Sequence, residues 1–182
     1  MEGDHADASD HPQRRHEPGR RHRGPDGEYD WIPNEPEIDW NAFMEHFDTA
    51  LMGRRSYEAA LAAPGGGALP ELETFVFSTT LHAQDHPAVT VVADRIDETI
   101  AALREGPGKD IWLFGGGAVF HSRLERGHAD RVEVGLIPVR LGGGIPLLPH
   151  PAVSVSLRLA DQHIYLTTGT VLLTYDVRRP AA

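Results

Sequence analysis

Cysteine is absent from all 182 residues, so no disulfide framework can hold this chain together and nothing in it argues for an oxidising compartment. Long apolar runs are missing too, and the N-terminus lacks the apolar core of a signal peptide. The expectation is therefore a cytoplasmic protein with no membrane partner. Positive charge is in deficit, with 17 Lys and Arg against 27 Asp and Glu and a net charge of −10, which argues against attraction of the whole molecule to nucleic acid. What remains is 40% hydrophobic, enough for one domain with a substantial core.

That hydrophobic content is unevenly spread. Met1 to Gly27 holds almost no aliphatic residues, and His, Arg, Asp, Pro and Gly dominate it. Such a segment buries too little apolar surface to offset the entropy of ordering, so residues 1–27 are expected to be disordered and 28–182 to form the domain. Arg14, Arg15, Arg20, Arg21 and Arg23 could make a basic arm for nucleic acid, but interleaved Asp and Glu and the lack of aromatics oppose that reading. His5, His11, His16 and His22 recur at five- and six-residue spacing, which matches no metal-ligand pattern, and no metal is expected.

From Tyr29 onward apolar residues return at mostly helical spacing, and a helix is expected over Glu37 to Phe47. Thr49 to Met52 reads as a short strand ending at Gly53-Arg54-Arg55, after which Ser56 caps a helix through Ala62. Strands follow at Glu73 to Ser78 and Val89 to Ala93, then a helix from Arg95 to Arg104 with Ile96, Ile100 and Leu103 on one face. Beyond residue 130 the pattern is strand-rich: Arg131 to Val139, Val155 to Ala160, His163 to Leu166 and Thr170 to Val177, the last two joined through Thr167-Thr168-Gly169 as a hairpin. Strands alternating with helices, then strands alone, imply an α/β fold: a mixed sheet flanked by helices, with antiparallel strands toward the C-terminus.

Three glycine triplets punctuate this pattern, and only one sits between a strand and a helix. Gly65-Gly66-Gly67 lies in a Pro/Ala/Gly stretch, and Gly142-Gly143-Gly144 leads to Pro146. Ile111-Trp112-Leu113-Phe114, by contrast, runs into Gly115-Gly116-Gly117 and then a helix from about Ala118 to Arg126. Bare backbone N–H groups and the positive end of the helix dipole make such a turn suited to a nucleotide pyrophosphate. The same letters also suit a tight turn packed against a neighbour with no ligand.

Leu51-Met52-Gly53-Arg54-Arg55-Ser56-Tyr57-Glu58, Val76-Phe77-Ser78-Thr79-Thr80-Leu81 and Gly115-Gly116-Gly117-Ala118-Val119-Phe120 occur in the order seen in dihydrofolate reductase-like proteins. The chain resembles the branch related to the reductase domain of the bacterial riboflavin-biosynthesis deaminase/reductase, and Ile137 to Gly144 with the closing hairpin adds to the likeness. The resemblance covers about Gly24 to Arg179. It implies a dihydrofolate reductase-like fold, a homodimer, and a cofactor site built from Gly53, Arg54, Arg55 and Ser56 together with Gly115, Gly116, Gly117, Ala118 and Val119. Ser78, Thr79 and Thr80 match the strand end that holds the adenosine ribose and its 2′-phosphate. With no acid directly at that strand end, NADPH is expected over NADH. Relatives also begin with an apolar strand in the middle of the sheet, leading into a segment that lines the substrate pocket. Here the Arg/His/Pro-rich segment stands in its place, as a first coding segment read out of frame from GC-rich DNA would give.

Hydride transfer needs two rings held face to face and one proton supplied or relayed. A carboxylate whose pKa is raised by burial suits the second task. In dihydrofolate reductases such an acid lies on the helix before the Met-Gly-Arg strand, and that spacing points to Glu37, with Asp39 two residues later, as the catalytic candidates. Glu37 could equally be a helix N-terminal residue satisfying the dipole. His121 reads as a solvated helical residue. Two functions follow: an NADPH-dependent reductase of a small nitrogen heterocycle, a pterin or a riboflavin-pathway aminopyrimidine, or a non-catalytic nucleotide-binding remnant.

Overall fold

The computed structural model describes residues 21–23, 30–62, 69, 71–142, 145–146 and 154–178. Its centre is a four-stranded parallel sheet of β2 (Phe47–Gly53), β3 (Glu73–Phe77), β4 (Thr90–Val92) and β5 (Asp110–Gly115), in the spatial order β4-β3-β2-β5. Helices α2 (Arg54–Ala62) and α3 (Ile96–Glu105) make the crossovers, and α4 (Gly117–Glu125) follows β5. Strand alternation divides the core between the two faces. Leu51, Phe75 and Phe77 pack with Ile100 of α3, joined by Ile111, Leu113 and Val119. Met52 and Val76 point the other way and meet Tyr57 of α2.

A second sheet is antiparallel, in the order β6 (Arg131–Leu136), β9 (Thr170–Arg178), β8 (Ser156–Tyr165). Residues directly opposite one another share a face. Val132, Val134 and Leu136 therefore align with Tyr175, Leu173 and Val171 of β9, and these with Leu159, Gln162 and Ile164 of β8. One face of this sheet is almost wholly apolar, and on its outer strand Leu157, Leu159 and Ile164 are exposed. Arg104 ties α3 to the entry of β6, donating to Asp130 at 2.5 and 3.0 Å and to the His128 carbonyl at 3.0 Å. Among the described residues no helix is long and apolar enough to cross a membrane.

The elements follow the sequence, with β6 ending at Leu136 short of the expected Val139 and four further differences. The helix expected over Glu37 to Phe47 is α1, only Trp40–Met44, because Asp39 accepts the Ala42 N–H and starts it late while Phe47 already belongs to β2. Ser56 does not cap α2; β2 passes directly into that helix at Arg54, leaving Ser56 in its first turn. Val155 to Ala160 and His163 to Leu166 are one strand, β8. The polar Asp161-Gln162 pair is absorbed by a register shift between Leu159 and Asp161, not by a turn. Lastly, Arg21–Arg23, within the segment expected to be disordered, forms β1 and pairs antiparallel with β7 (Ile145–Pro146). Backbone groups alone make such a ladder, so apolar scarcity did not forbid it. The rest of 1–27 lies outside the described residues, apart from those three.

Candidate active site

The strand order reverses between β2 and β5: the chain leaves β2 toward β3 and β4, then returns to β5 on the opposite side. In an open parallel sheet the crevice outside the carboxyl ends of strands at such a reversal is where ligands bind. Two nine-residue helices, α2 and α4, both start there, one directly after β2 and one after the Gly115-Gly116 turn. Each points orphan N–H groups and a positive dipole end at the same crevice.

Glycine makes the convergence possible. A Cβ on Gly53 would stand 2.9 Å from Val119 Cγ2, so β2 and α4 approach within a distance that no side chain permits. Gly116, the N-cap of α4, has φ +97°, and a Cβ there would lie 3.5 Å from Ser56 Oγ and 3.6 Å from the Gly53 nitrogen. A Cβ on Gly115 would meet Ser56 Oγ at 3.3 Å. The two glycine turns expected to act together, Gly53 to Ser56 and Gly115 to Val119, are thus adjacent in space.

All nine of those residues line one cavity of about 1700 Å³. Arg54 lies at its edge with its guanidinium held by Glu58 at 2.7 Å, whereas Arg55 is exposed with no ion-pair partner among the described residues. Phe43, Phe47, Trp112 and Phe114 are among the aromatic residues that line this cavity. Trp112 stands 5.3 Å from Phe43, 5.8 Å from Phe47 and 5.0 Å from Phe114, measured between ring centres.

Ser78, Thr79 and Thr80 sit at the carboxyl end of β3, on the same side of the sheet, but they do not line the cavity. Ser78 is buried, and its hydroxyl accepts the N–H groups of Thr80 at 3.1 Å and Leu81 at 3.0 Å, closing a local turn. Thr79 and Thr80 are exposed.

Glu37 and Asp39 lie elsewhere. Asp39 is the N-cap of α1. Glu37 is exposed and accepts the Thr167 N–H at 3.1 Å. Hydrogen bonds from Thr167 hold its pKa below the ordinary value, aided by His163, against a smaller opposing effect of burial. The rise expected of a buried acid is replaced by a fall, because Glu37 faces the β8–β9 turn and not a closed pocket. The buried carboxylate of this segment is Glu35, which receives the Thr168 hydroxyl and the Glu37 N–H. Its role is to fasten the hairpin turn. His121 is half-buried and pairs with Glu125 at 3.4 Å, one helical turn away.

Arg123 is among the residues of the cavity wall that sequence reasoning did not single out. Arg123 on α4 is 7% exposed and bonds Asp97 of α3, which also engages Arg126 and, at 3.4 Å, His128. Burial raises the Asp97 pKa, but the hydrogen bond and charge of Arg123, with Arg126 and His128, outweigh it and hold the carboxylate low. Arg123 lies four residues after Val119 and so shares its core-facing side, which is the signal that could have found it.

Residues 21–173 match the model of the family described as the RibD C-terminal domain. Among curated proteins the chain is similar to the uncharacterized protein YyaP of Bacillus subtilis (strain 168), 29% identical over 163 residues that cover 84% of this chain and 86% of the relative. The uncharacterized protein YwjB of the same organism is 26% identical over 137 residues, covering 74% and 79%. Among solved structures, the "Putative riboflavin biosynthesis protein" of Shewanella sp. PV-4 superposes with a TM-score of 0.73 at 24% identity, over 88% of this chain and 94% of that one. The diaminohydroxyphosphoribosylaminopyrimidine deaminase/5-amino-6-(5-phosphoribosylamino)uracil reductase of Thermotoga maritima gives a TM-score of 0.64 at 15% identity, over 88% of this chain and 53% of that one. These likenesses show the reductase-like fold, and with a family match across most of its length the chain belongs to the RibD C-terminal domain family, a branch of the dihydrofolate reductase-like proteins.

Proposed function

We propose that this chain is an NADPH-dependent reductase of a small nitrogen heterocycle, a pterin or an aminopyrimidine of the kind named for the Thermotoga relative. The observation that carries the reading is the meeting of two helix N-termini across Gly53 and Gly116 at the reversal between β2 and β5. The cradle suits a pyrophosphate, since Gly116 at φ +97° leaves the N-terminus of α4 bare of side chain beside the Ser56 hydroxyl and the Gly53 backbone. Gly53, Ser56 and Gly115 to Val119 would hold the phosphates, with Arg54 and Arg55 at the rim. Bound NADPH supplies the hydride. Phe43, Phe47, Trp112 and Phe114 offer an aromatic wall on which a planar heterocycle can stack. Glu37 and Asp39, outside this cavity, receive no proton-transfer role. A homodimer through the exposed apolar face of Leu157, Leu159 and Ile164 accords with the same reading.

A second reading, a nucleotide-binding domain without turnover, is favoured by one feature: among the described residues no strand joins the parallel sheet to the antiparallel one. Titration with NADPH and NADH, followed by nicotinamide fluorescence and thermal shift, tests both. Saturable NADPH binding with oxidation of the cofactor on adding an aminopyrimidine or pterin supports the reductase. Binding without oxidation supports the second reading, and no binding overturns both.

A further inference from the structure

The parallel neighbours β3 and β4 are connected by residues 78–89, a crossover whose only helical turn is a short 3-10 piece at Ala83–Asp85. Leu81 and Val89, near its two ends, pack on Met52, Tyr57 and Val76. Between these anchors every side chain from His82 to Ala88 is exposed except that of His86. His86 is also the centre of the local backbone turns, donating its N–H to the Ala83 carbonyl at 3.1 Å and accepting the Val89 N–H at 3.2 Å, and Pro87 behind it narrows its backbone freedom. Its Nδ1 lies 3.1 Å from the Tyr57 hydroxyl, with the two rings edge to face at 5.2 Å.

Tyr57 stands in the first turn of α2, the helix whose N-terminus forms one side of the cradle, and it is 2% exposed. A phenol buried to that degree calls for a hydrogen-bond partner, and His86 is the one it has. Gly53 and Phe77 lie opposite one another across β2 and β3, so Ser78 leaves the sheet level with the start of α2. A dinucleotide lies across the carboxyl ends of the strands at a reversal of strand order. With its phosphates between β2 and β5 and its reacting ring beside the aromatic wall of β5, its other half runs over the start of α2 toward the end of β3, where residues 78–81 make the rim.

We propose that Tyr57 and His86 are a positioning pair for the adenosine half of NADPH: their hydrogen bond locks the 78–89 crossover onto the cradle helix, so that the rim stands in place before the cofactor arrives. The inference rests on the reductase reading of the cradle and adds to it two residues that do not line the cavity themselves. Without the bond, Leu81 and Val89 still hold the ends of the crossover, but the stretch between them loses its side-chain tether and the rim populates other arrangements. Apparent affinity then falls by the fraction of molecules left in the competent one. A purely structural role would weaken every ligand of the cradle alike, whereas positioning weakens only ligands that reach the rim.

The test titrates the full-length chain with NADPH, with adenosine 2′,5′-bisphosphate as the adenosine half, and with reduced nicotinamide mononucleotide as the other half. Tyr57→Phe, which keeps the ring in the core, and His86→Ala should each weaken NADPH and the bisphosphate by roughly threefold to tenfold, the worth of one net hydrogen bond, and leave the mononucleotide unchanged. Hydrogen exchange should quicken over 79–88 and not in β2 or β5. His86→Asn, whose amide stands near the place of Nδ1, should retain most of the affinity, and the double variant Tyr57→Phe/His86→Ala should bind no more weakly than either single one. Equal losses for all three ligands, exchange that quickens across the sheet, additive losses in the double variant, or no loss in the single ones would each overturn the proposal. Bisphosphate binding with the expected pattern but no oxidation of NADPH by a pterin or aminopyrimidine leaves the pair standing and overturns the reductase reading. Turnover with unchanged affinities in the variants does the reverse, and a parent that binds none of the three overturns both.

Discussion

Gly53, the last residue of β2, meets Val119, in the first turn of α4, so closely that a Cβ on the glycine would stand 2.9 Å from the valine Cγ2. Valine is stiff at χ1 and packs into the core beside Leu51 and Phe77, so it cannot swing away. Gly53→Ala should therefore destabilise the fold by about 1–3 kcal/mol, the usual cost of overpacking, and weaken NADPH binding by moving α4. Adding Val119→Ala should recover part of both losses, because the two changes are coupled. Thermal unfolding of the single and double variants checks this; a single variant that melts with the parent would show that the contact relaxes freely.

Gly116→Val attacks the cradle itself. At φ +97° a β-branched residue is strained, and its side chain would enter the space between Ser56 and Gly53. NADPH binding should be abolished at concentrations that saturate the parent, with far-ultraviolet circular dichroism largely retained. Unchanged affinity would make the turn a packing device only.

Much of the architecture was legible because the governing signals are local. Apolar runs bounded by Gly and Ser located β2, β3 and β5, and the strand-glycine-helix order located the turn that Gly115 and Gly116 form between β5 and α4. That Ser56 comes within reach of Gly116 was not legible from spacing, since the contact joins residues about sixty apart through the topology of the sheet. Where Glu37 would lie was not legible for a physical reason: a carboxylate near the start of a helix can face either a pocket or a neighbouring turn. Only the tertiary placement of Thr167 and Thr168 decides, and it engages Glu37 and Glu35 alike. Arg21–Arg23 escaped notice because a backbone ladder leaves little trace in side-chain composition.

Arg54 and Arg55 separate two ways of meeting phosphate. A charge-assisted hydrogen bond to phosphate contributes about 1.5–3 kcal/mol, so either Arg→Ala change should weaken NADPH binding by roughly tenfold or more. NADH should suffer less if the arginine reads the 2′-phosphate. Glu58→Gln, which loosens the 2.7 Å tether on Arg54, should not weaken NADPH binding. Identical affinities for both cofactors in both arginine variants would remove the pair from the site.

The Glu37 carboxylate gives a pH dependence of known sign. Its folded-state pKa is lowered, first by the hydrogen bonds from Thr167, so its contribution to stability is present above the ordinary carboxylate range and fades as the pH falls through the lowered value. Glu37→Gln should lower the melting temperature at pH 7 and have a smaller effect once the pH has fallen through that lowered value, where the parent has lost the same interaction. Melting curves across that range test it, and a loss that grows with acidity contradicts the assignment. NADPH affinity should not change, since Glu37 does not line the cavity.

Joining an apolar strand of about six residues to this chain ahead of Gly24 tests the edges of β5 and β6 that have no partner strand among the described residues. As it stands, two strand edges face the cavity without partners among the described residues, and an unpaired buried backbone group costs about 1–3 kcal/mol. Covering Phe114 and Trp112 should add apolar burial at about 25 cal/mol per Å². The extended chain should therefore melt well above the parent, with exchange protection at 110–115 and 131–136, and any reductase turnover should rise with it. Deletions supply the control. Removing residues 1–20 should change the melting temperature little, whereas removing 1–23 also deletes β1 and should cost more through the lost ladder with Ile145–Pro146. A parent chain already cooperative, monodisperse and catalytically active, and indifferent to the added strand, would show that the gap is filled without it.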